Sequence, residues 1–172
     1  MAVTWTAFPL HPNTPVEGLL LEELYAGRNI DIEQRTAEYR KVAQEEGLPF
    51  GERTRTYNTR LAQELGKWAE WKGKGGAFHM AVFRAYFAES ENIAQIPVLK
   101  NIAISVNLPG DEAQDMMEKR TFQAWVDRDW ARSLALRVRA VPTFVMNRLS
   151  LTGAYPYDVL EKFVRDGGAK QR

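Results

Sequence analysis

The stretch of residues 143–152 constrains the fold of this chain more than any other. Residues 143–146 (Thr-Phe-Val-Met) are β-branched, aromatic and apolar, and residues 149–152 (Leu-Ser-Leu-Thr) resume the pattern. Only Asn147-Arg148 separates the two runs, and such a turn between short runs predicts a β-hairpin. Residues 156–167 begin with Pro, carry apolar residues at helical spacing and end at Gly, which predicts a helix after the hairpin.

Residues 14–138 have a helical pattern throughout. Capping residues and apolar stripes predict successive helices, which begin near Thr14, Asp31, Asn58, Ala77, Pro97, Asp111 and Trp125. The first of them runs to about Gly27, and the one over residues 77–88 is apolar on most faces, so we expect it to be deeply buried. Residues 3–8 alternate in a way typical of a strand. This order of strand, helices, hairpin and helix indicates an α/β fold.

Composition and charge exclude several classes of protein. The chain has 172 residues, of which 45% are hydrophobic and 26% charged, as in an ordinary globular domain. Its 23 Lys and Arg nearly balance its 22 Asp and Glu, so we expect neither a nucleic acid nor a membrane as partner. No apolar run approaches the roughly 18 residues of a membrane span, and we expect a cytoplasmic protein. No metal site is expected, because His11 and His79 lack a partner His or Cys.

Several motifs carry a resemblance to a known family. Val141-Pro142-Thr143-Phe144, followed by a turn, a second strand, Gly153-Ala154 and a helix, resembles the C-terminal half of a thioredoxin fold, in which this proline is cis. Four further motifs match: Trp5-x-x-Phe8-x-Leu10-x-Pro12, Asn58-Thr59-x-x-Ala62, Phe83-x-Ala85-Tyr86-Phe87, and Ile93 with Leu99. Together they are similar to the DsbA-like thioredoxin-fold family, in its FrnE-type branch of predicted dithiol oxidoreductases. This branch is near the kappa-class glutathione transferases and the 2-hydroxychromene-2-carboxylate isomerases.

The resemblance implies a thioredoxin-like sheet with a large all-helical insertion. Residues 1–13 and 139–168 would form the thioredoxin-like part, residues 14–138 the helical insertion with its return helix, and residues 169–172 a tail. Family members begin with a strand and a helix that carry Cys-x-x-Cys, or a Ser or Cys in the glutathione-using relatives. This sequence starts after that unit, so we expect the N-terminal βα unit to be missing. Arg137 and Ala140 stand where the family has glycine before the cis-proline.

The resemblance also implies where a ligand would bind. In relatives, the backbone of the residue before the cis-proline pairs with an extended peptide or with glutathione, which points to Val141 and Pro142. Tyr155 follows Gly153-Ala154, where relatives line the site, and is expected to border the pocket. A purely structural turn at Val141-Pro142 stays an alternative. No cofactor is expected, although glutathione stays a candidate.

A partner is expected at the sheet edge. In the thioredoxin topology, the missing strand lies between the strands predicted at residues 3–8 and 143–146. An empty position there leaves backbone groups unpaired, at about 1–3 kcal/mol each if buried. A strand from another chain, a second polypeptide, or direct pairing of the two flanking strands would close it. We therefore predict a homodimer or another partner at that edge.

The absence of cysteine decides the functional prediction. Thiol-disulfide exchange needs a thiolate, and the 172 residues contain none. The sequence thus predicts a DsbA- or FrnE-like protein of the thiol-disulfide oxidoreductase family that is inactive alone and has no catalytic residue of its own. One alternative is a non-enzymatic binding or interaction protein on a thioredoxin-like scaffold. Another is a glutathione-dependent isomerase or transferase, whose activating Ser would also come from the missing unit.

Overall fold

The computed structural model describes residues 3–169, so three of the four residues of the predicted tail lie outside the described part. Within it there are eight helices and two antiparallel two-stranded sheets. The helices are α1 (Leu21–Leu24), α2 (Ile32–Glu45), α3 (Arg60–Trp71), α4 (Gly75–Phe87), α5 (Ile96–Ser105), α6 (Gly110–Lys119), α7 (Gln123–Ala135) and α8 (Tyr157–Asp166). The strands are β1 (Leu19–Leu20), β2 (Arg55–Thr56), β3 (Thr143–Met146) and β4 (Leu149–Thr152).

The chain divides into two compact units. The helical unit comprises residues 11–126, and the hairpin unit comprises residues 3–10 together with residues 127–169. No helix described between residues 3 and 169 is long and apolar enough to cross a bilayer.

The helical unit holds the hydrophobic core. α3 packs on α4 and α5 packs on α6, because each helix carries apolar side chains on one face. The largest fully buried apolar side chains are Leu65, Phe78, Leu99, Met117 and Val126. The predicted stripe of α3 is confirmed, since Leu65, Trp68 and Ala69 are all buried. Deep burial of α4 is wrong in part, because Met80 is 60% exposed.

The helix predicted over residues 14–27 is wrong. Only α1, Leu21–Leu24, is helical in this segment. Gly18 has φ +82°, and a Cβ there would lie 2.6 Å from the carbonyl oxygen of Thr56. The chain at Gly18 thus turns onto β2, and the following residues pair with it as β1. A ladder with residues far along the chain replaces the local helical hydrogen bonds.

The strand predicted at residues 3–8 is also wrong. This segment pairs with no strand among the described residues. The Ala7 amide instead donates to the Asp129 carboxylate at 2.8 Å, and the Ser133 hydroxyl donates to the Ala7 carbonyl at 3.4 Å. Side chains of α7 therefore occupy backbone groups that a neighbouring strand would use. Direct pairing of residues 3–8 with β3, one of the three predicted ways of closing the sheet edge, does not occur.

The predicted hairpin is confirmed. Thr143 lies opposite Thr152 and Met146 opposite Leu149, so Asn147-Arg148 forms the turn. Asn147 has φ +55°, a conformation that Asn tolerates, and its side-chain amide donates to the Gly167 carbonyl at 2.8 Å.

The hairpin unit has little core of its own. Its only buried residues within the described ranges are Ser133 and Gly167. Phe144 and Val145 point to opposite faces of β3, and they are 38% and 42% exposed. Both faces of the hairpin are thus partly open.

Candidate functional site

The candidate site begins where the chain enters β3. The Val141-Pro142 peptide bond is cis. Val141 is 47% exposed, and within residues 3–169 its backbone N–H and C=O make no hydrogen bond. A free donor and a free acceptor therefore lie next to each other at the start of the strand.

Hydrogen bonds fix the backbone on the other side of Val141. The Pro142 carbonyl accepts from the Gly153 amide at 2.8 Å. The Thr143 hydroxyl donates to the Ala140 carbonyl at 2.7 Å and lies 3.0 Å from the Thr152 hydroxyl. Pro142 is thereby tied to the end of β4, and the free groups of Val141 are presented from an ordered backbone.

Gly153 connects the proline with the third predicted residue. It has φ +121°, and a Cβ there would lie 3.2 Å from Cε2 of Tyr155. The Tyr155 ring therefore lies against Gly153 while the Gly153 amide holds Pro142. The structure brings Val141, Pro142 and Tyr155 to one end of the hairpin, with Tyr155 43% exposed. Their role in binding a ligand stays a prediction.

The outer edge of β3 continues this site. In an antiparallel ladder, the backbone groups of successive residues point alternately toward and away from the partner strand. The Pro142 carbonyl accepts its hydrogen bond from the side of β4. The backbone N–H and C=O groups of Thr143 and Val145 therefore point away from β4. β3 pairs only with β4 within residues 3–169. These outward groups form an open strand edge along β3.

The site holds no nucleophile of the family's type, since the chain has no cysteine. No group of three His, Asp or Glu side chains suited to a metal exists within residues 3–169. The Asp129 carboxylate accepts a hydrogen bond from the Ala7 amide, so it holds the N-terminal segment against α7. What this arrangement can do chemically is bind an extended backbone.

A left-handed residue precedes the site. Arg137 has φ +56° and follows the last turn of α7. Its amide donates to the Leu134 carbonyl at 2.9 Å, and the Val138 amide donates to the Ser133 carbonyl at 3.0 Å. This is the Schellman arrangement, in which glycine is usual. Arg137 thus occupies a glycine conformation, as the family pattern suggests, whereas Ala140 has no positive φ.

Comparisons with known proteins agree with this geometry. Residues 1–165 match the DsbA-like thioredoxin domain. The YwbO protein of Bacillus subtilis, which is described as uncharacterized, is 34% identical over 115 residues, covering 66% of this chain. The chain spans little more than half of that relative, since the match covers 57% of YwbO.

Solved structures have the same fold. A probable DsbA oxidoreductase from Streptomyces coelicolor has a TM-score of 0.82 at 22% identity, covering 95% of this chain and 74% of its own. A Nitrosomonas europaea structure has a TM-score of 0.64 at 16% identity, covering 80% of this chain and 74% of its own. The α/β, DsbA-like fold class predicted from the sequence is confirmed.

Proposed function

The chain belongs to the DsbA-like thioredoxin domain family, and we propose that its residues form the ligand-binding scaffold of a thiol-disulfide oxidoreductase. Thiol-disulfide exchange proceeds by attack of a thiolate on a disulfide sulfur. With no cysteine among the 172 residues, that thiolate comes from outside them, from a second polypeptide or from glutathione. These residues alone are therefore inactive in dithiol oxidation. A cytoplasmic location is part of this proposal.

The free backbone groups of Val141 carry this proposal. An extended peptide, or glutathione, can bond to an exposed N–H and C=O in the manner of an added strand. Pro142 has no N–H, and its carbonyl already accepts a hydrogen bond from Gly153. A ligand would therefore form its hydrogen bonds with the backbone of Val141. The exposed ring of Tyr155 would line one side of the bound segment.

A partner strand at β3 is the second part of the proposal. The outward backbone groups of Thr143 and Val145 form an edge of the kind that templates strand pairing. The apolar side chains of Phe144 and Val145 are partly exposed beside it. A strand from a second copy or from another polypeptide would satisfy the edge and cover these side chains.

Glutathione titration of the purified chain, followed by calorimetry, tests the ligand site. We expect binding by the native chain and by Val141→Ala, which keeps the backbone N–H. Val141→Pro removes that N–H and should abolish binding while the far-ultraviolet circular dichroism stays unchanged. Equal binding by both variants would exclude the ligand role of Val141.

The lack of buried apolar side chains in the hairpin unit favours a second candidate, a non-enzymatic interaction protein. Insulin reduction with added glutathione discriminates between the two. Turnover in the presence of glutathione supports the oxidoreductase scaffold. Absence of both turnover and glutathione binding supports the interaction protein instead. A glutathione-dependent isomerase or transferase would bind glutathione without reducing insulin.

A further inference from the structure

A groove in the helical unit lies far along the sequence from the hairpin. α1 and the residue after it form one side, α2 forms another, and residues 50–53 close the third. The groove contains about 370 Å³ of space open to solvent. Its apolar lining is Leu21, Ile32 and Phe50, with the rings of Tyr25 and Tyr39 beside them. The groove is open to solvent, so a bound molecule would be only partly covered.

Two arginines line the same groove, and aromatic rings hold both. The guanidinium carbon of Arg35 lies 5.9 Å from the centre of the Tyr25 ring and 6.0 Å from that of Tyr39. Nε of Arg35 also donates to the Tyr39 hydroxyl at 3.1 Å. These contacts position the guanidinium without neutralising its charge.

Arg53 is held in a similar way. Its guanidinium carbon lies 4.8 Å from the centre of the Tyr86 ring and 5.6 Å from that of Phe87. Nε of Arg53 donates to the Arg55 carbonyl at 3.1 Å. In both arginines the Nε–H is satisfied, and within the described part of the chain no hydrogen bond occupies the terminal NH₂ groups. Such groups match the paired oxygens of a carboxylate or phosphate.

Among the described residues, no carboxylate forms a close ion pair with either of these two charges. Within residues 3–169, neither Arg35 nor Arg53 has an Asp or Glu oxygen within 4.0 Å. Arg60, Arg84, Arg120 and Arg165, by contrast, each form such an ion pair. The hydrogen bond to Tyr39 raises the pKa of Arg35, and the charge of Glu38 on the same helix contributes less. The Glu38 carboxylate itself accepts a hydrogen bond from Gln34 at 3.2 Å, so one negative charge lies near the two positive ones. The groove is therefore cationic.

A neighbouring histidine responds to this positive charge. Burial lowers the pKa of His11, and the charges of Arg28 and Arg53 lower it further. The guanidinium carbon of Arg28 lies 6.0 Å from the centre of the Tyr25 ring. Two guanidiniums thus line the groove, and that of Arg28 lies near its Tyr25 ring.

We propose that this groove binds a small organic anion, a carboxylate or phosphate carried on a single ring or short apolar body. The anionic group would pair with Arg35 and Arg53, and the apolar body would contact Leu21, Ile32 and Phe50. The site lies within the helical unit and does not depend on the function proposed for Val141 and Pro142.

An NMR titration of the 172-residue chain tests the proposal. The amide chemical shifts are followed while benzoate, phenyl phosphate, benzyl alcohol or inorganic phosphate is added. We expect benzoate or phenyl phosphate to move the resonances of Tyr25, Ile32 and Phe50 at roughly millimolar concentrations. A larger effect of phenyl phosphate assigns a phosphate ligand, and a larger effect of benzoate assigns a carboxylate. Equal binding of benzyl alcohol, or of inorganic phosphate, would overturn the proposal, as would no response to either organic anion.

Variants test the role of the arginines. Arg35→Gln and Arg53→Gln should each weaken binding of the organic anion roughly tenfold or more, because each removes a charge-assisted pair. Arg53→Lys keeps the positive charge and should retain part of the binding. It provides a second measurement at this position if Arg53→Gln fails to fold. Arg40→Gln, on the outer part of the same helix, is the matched control and should bind like the native chain. Unchanged binding of the organic anion by both Arg35→Gln and Arg53→Gln would overturn the proposal.

Discussion

The guanidinium of Arg120 donates two hydrogen bonds, each 2.7 Å long, to the fully buried carboxylate of Glu64. Arg60, one turn before Glu64 on α3, donates a third at 2.7 Å. A buried carboxylate must be paired, and two arginines here satisfy both of its oxygens. The interaction joins α3 to the end of α6, so it stabilises the helical unit around its core.

Removing the Glu64 charge should destabilise the helical unit. Glu64→Gln leaves Arg60 and Arg120 facing a neutral amide that cannot accept all three hydrogen bonds. We expect a loss of about 2–3 kcal/mol in the free energy of unfolding, at the low end for a broken buried pair because Arg120 reaches solvent. Urea denaturation measures it. Glu161→Gln, at a half-buried member of a surface ion pair on α8, should change stability by less than about 0.5 kcal/mol. A loss for Glu64→Gln no larger than for this control would contradict the assignment.

Two arginines in the same left-handed conformation should respond oppositely to glycine. Arg120 has φ +54° and Arg137 has φ +56°, and glycine would relieve the backbone at either. Arg137 is exposed, and among residues 3–169 its side chain makes no hydrogen bond or ion pair, so Arg137→Gly should stabilise the protein by about 1 kcal/mol. Arg120→Gly removes the partner of Glu64 and should destabilise it. Arg137→Ala keeps the strain and should be nearly neutral. The same sign of change in both glycine variants would exclude this explanation.

Glu70 should make stability depend on pH in the acid range. Burial raises the pKa of Glu70, but its hydrogen bond with His79 and the charge of Lys67 outweigh burial and lower the pKa below 4.5. A lowered pKa in the folded state gives stability that is present above the unfolded value and lost as pH falls through the folded value. Denaturant titrations across this range should show that loss, and Glu70→Gln should reduce its slope. An unchanged slope in Glu70→Gln would place the acid sensitivity elsewhere.

Gly153 should tolerate no side chain. At φ +121° an L-residue is strained, and the new Cβ would approach the Tyr155 ring. Gly153→Ala should therefore destabilise the hairpin by about 1–3 kcal/mol. Gly76→Ala is the matched control, because a Cβ there meets nothing within 4 Å and α4 favours alanine. Circular dichroism melting of both variants provides the comparison, and a neutral Gly153→Ala would contradict the strained geometry.

The parts of the fold set by local chemistry could be predicted from the sequence. Asp31 accepts from the Gln34 amide at 2.9 Å and starts α2, as its position before an amphipathic run indicates. The hairpin followed from its turn residues in the same way. The helix expected at residues 14–27 was wrong because β1 pairs with β2, a strand more than thirty residues away. Sequence patterns within the segment do not show this pairing.

The candidate site was predictable only in part. Val141, Pro142 and Tyr155 follow from a family resemblance, because their motif is short and continuous. The Arg35 and Arg53 groove was missed, since these residues belong to α2 and a distant loop and only the folded chain brings them together. No sequence periodicity indicates that Arg35 and Arg53 lie together. In the same way, the alternating pattern of residues 3–8 does not show whether a neighbouring strand is available for pairing.

The uneven distribution of buried side chains has a consequence for how the molecule opens. Regions with few buried apolar contacts open with low free energy, whereas a packed core opens only with global unfolding. Amides of β3 and β4 should therefore exchange with deuterium through brief local excursions, long before those of α3–α6. A single transition midpoint would then describe the four-helix interior, and the hairpin would sample other arrangements while that interior is intact.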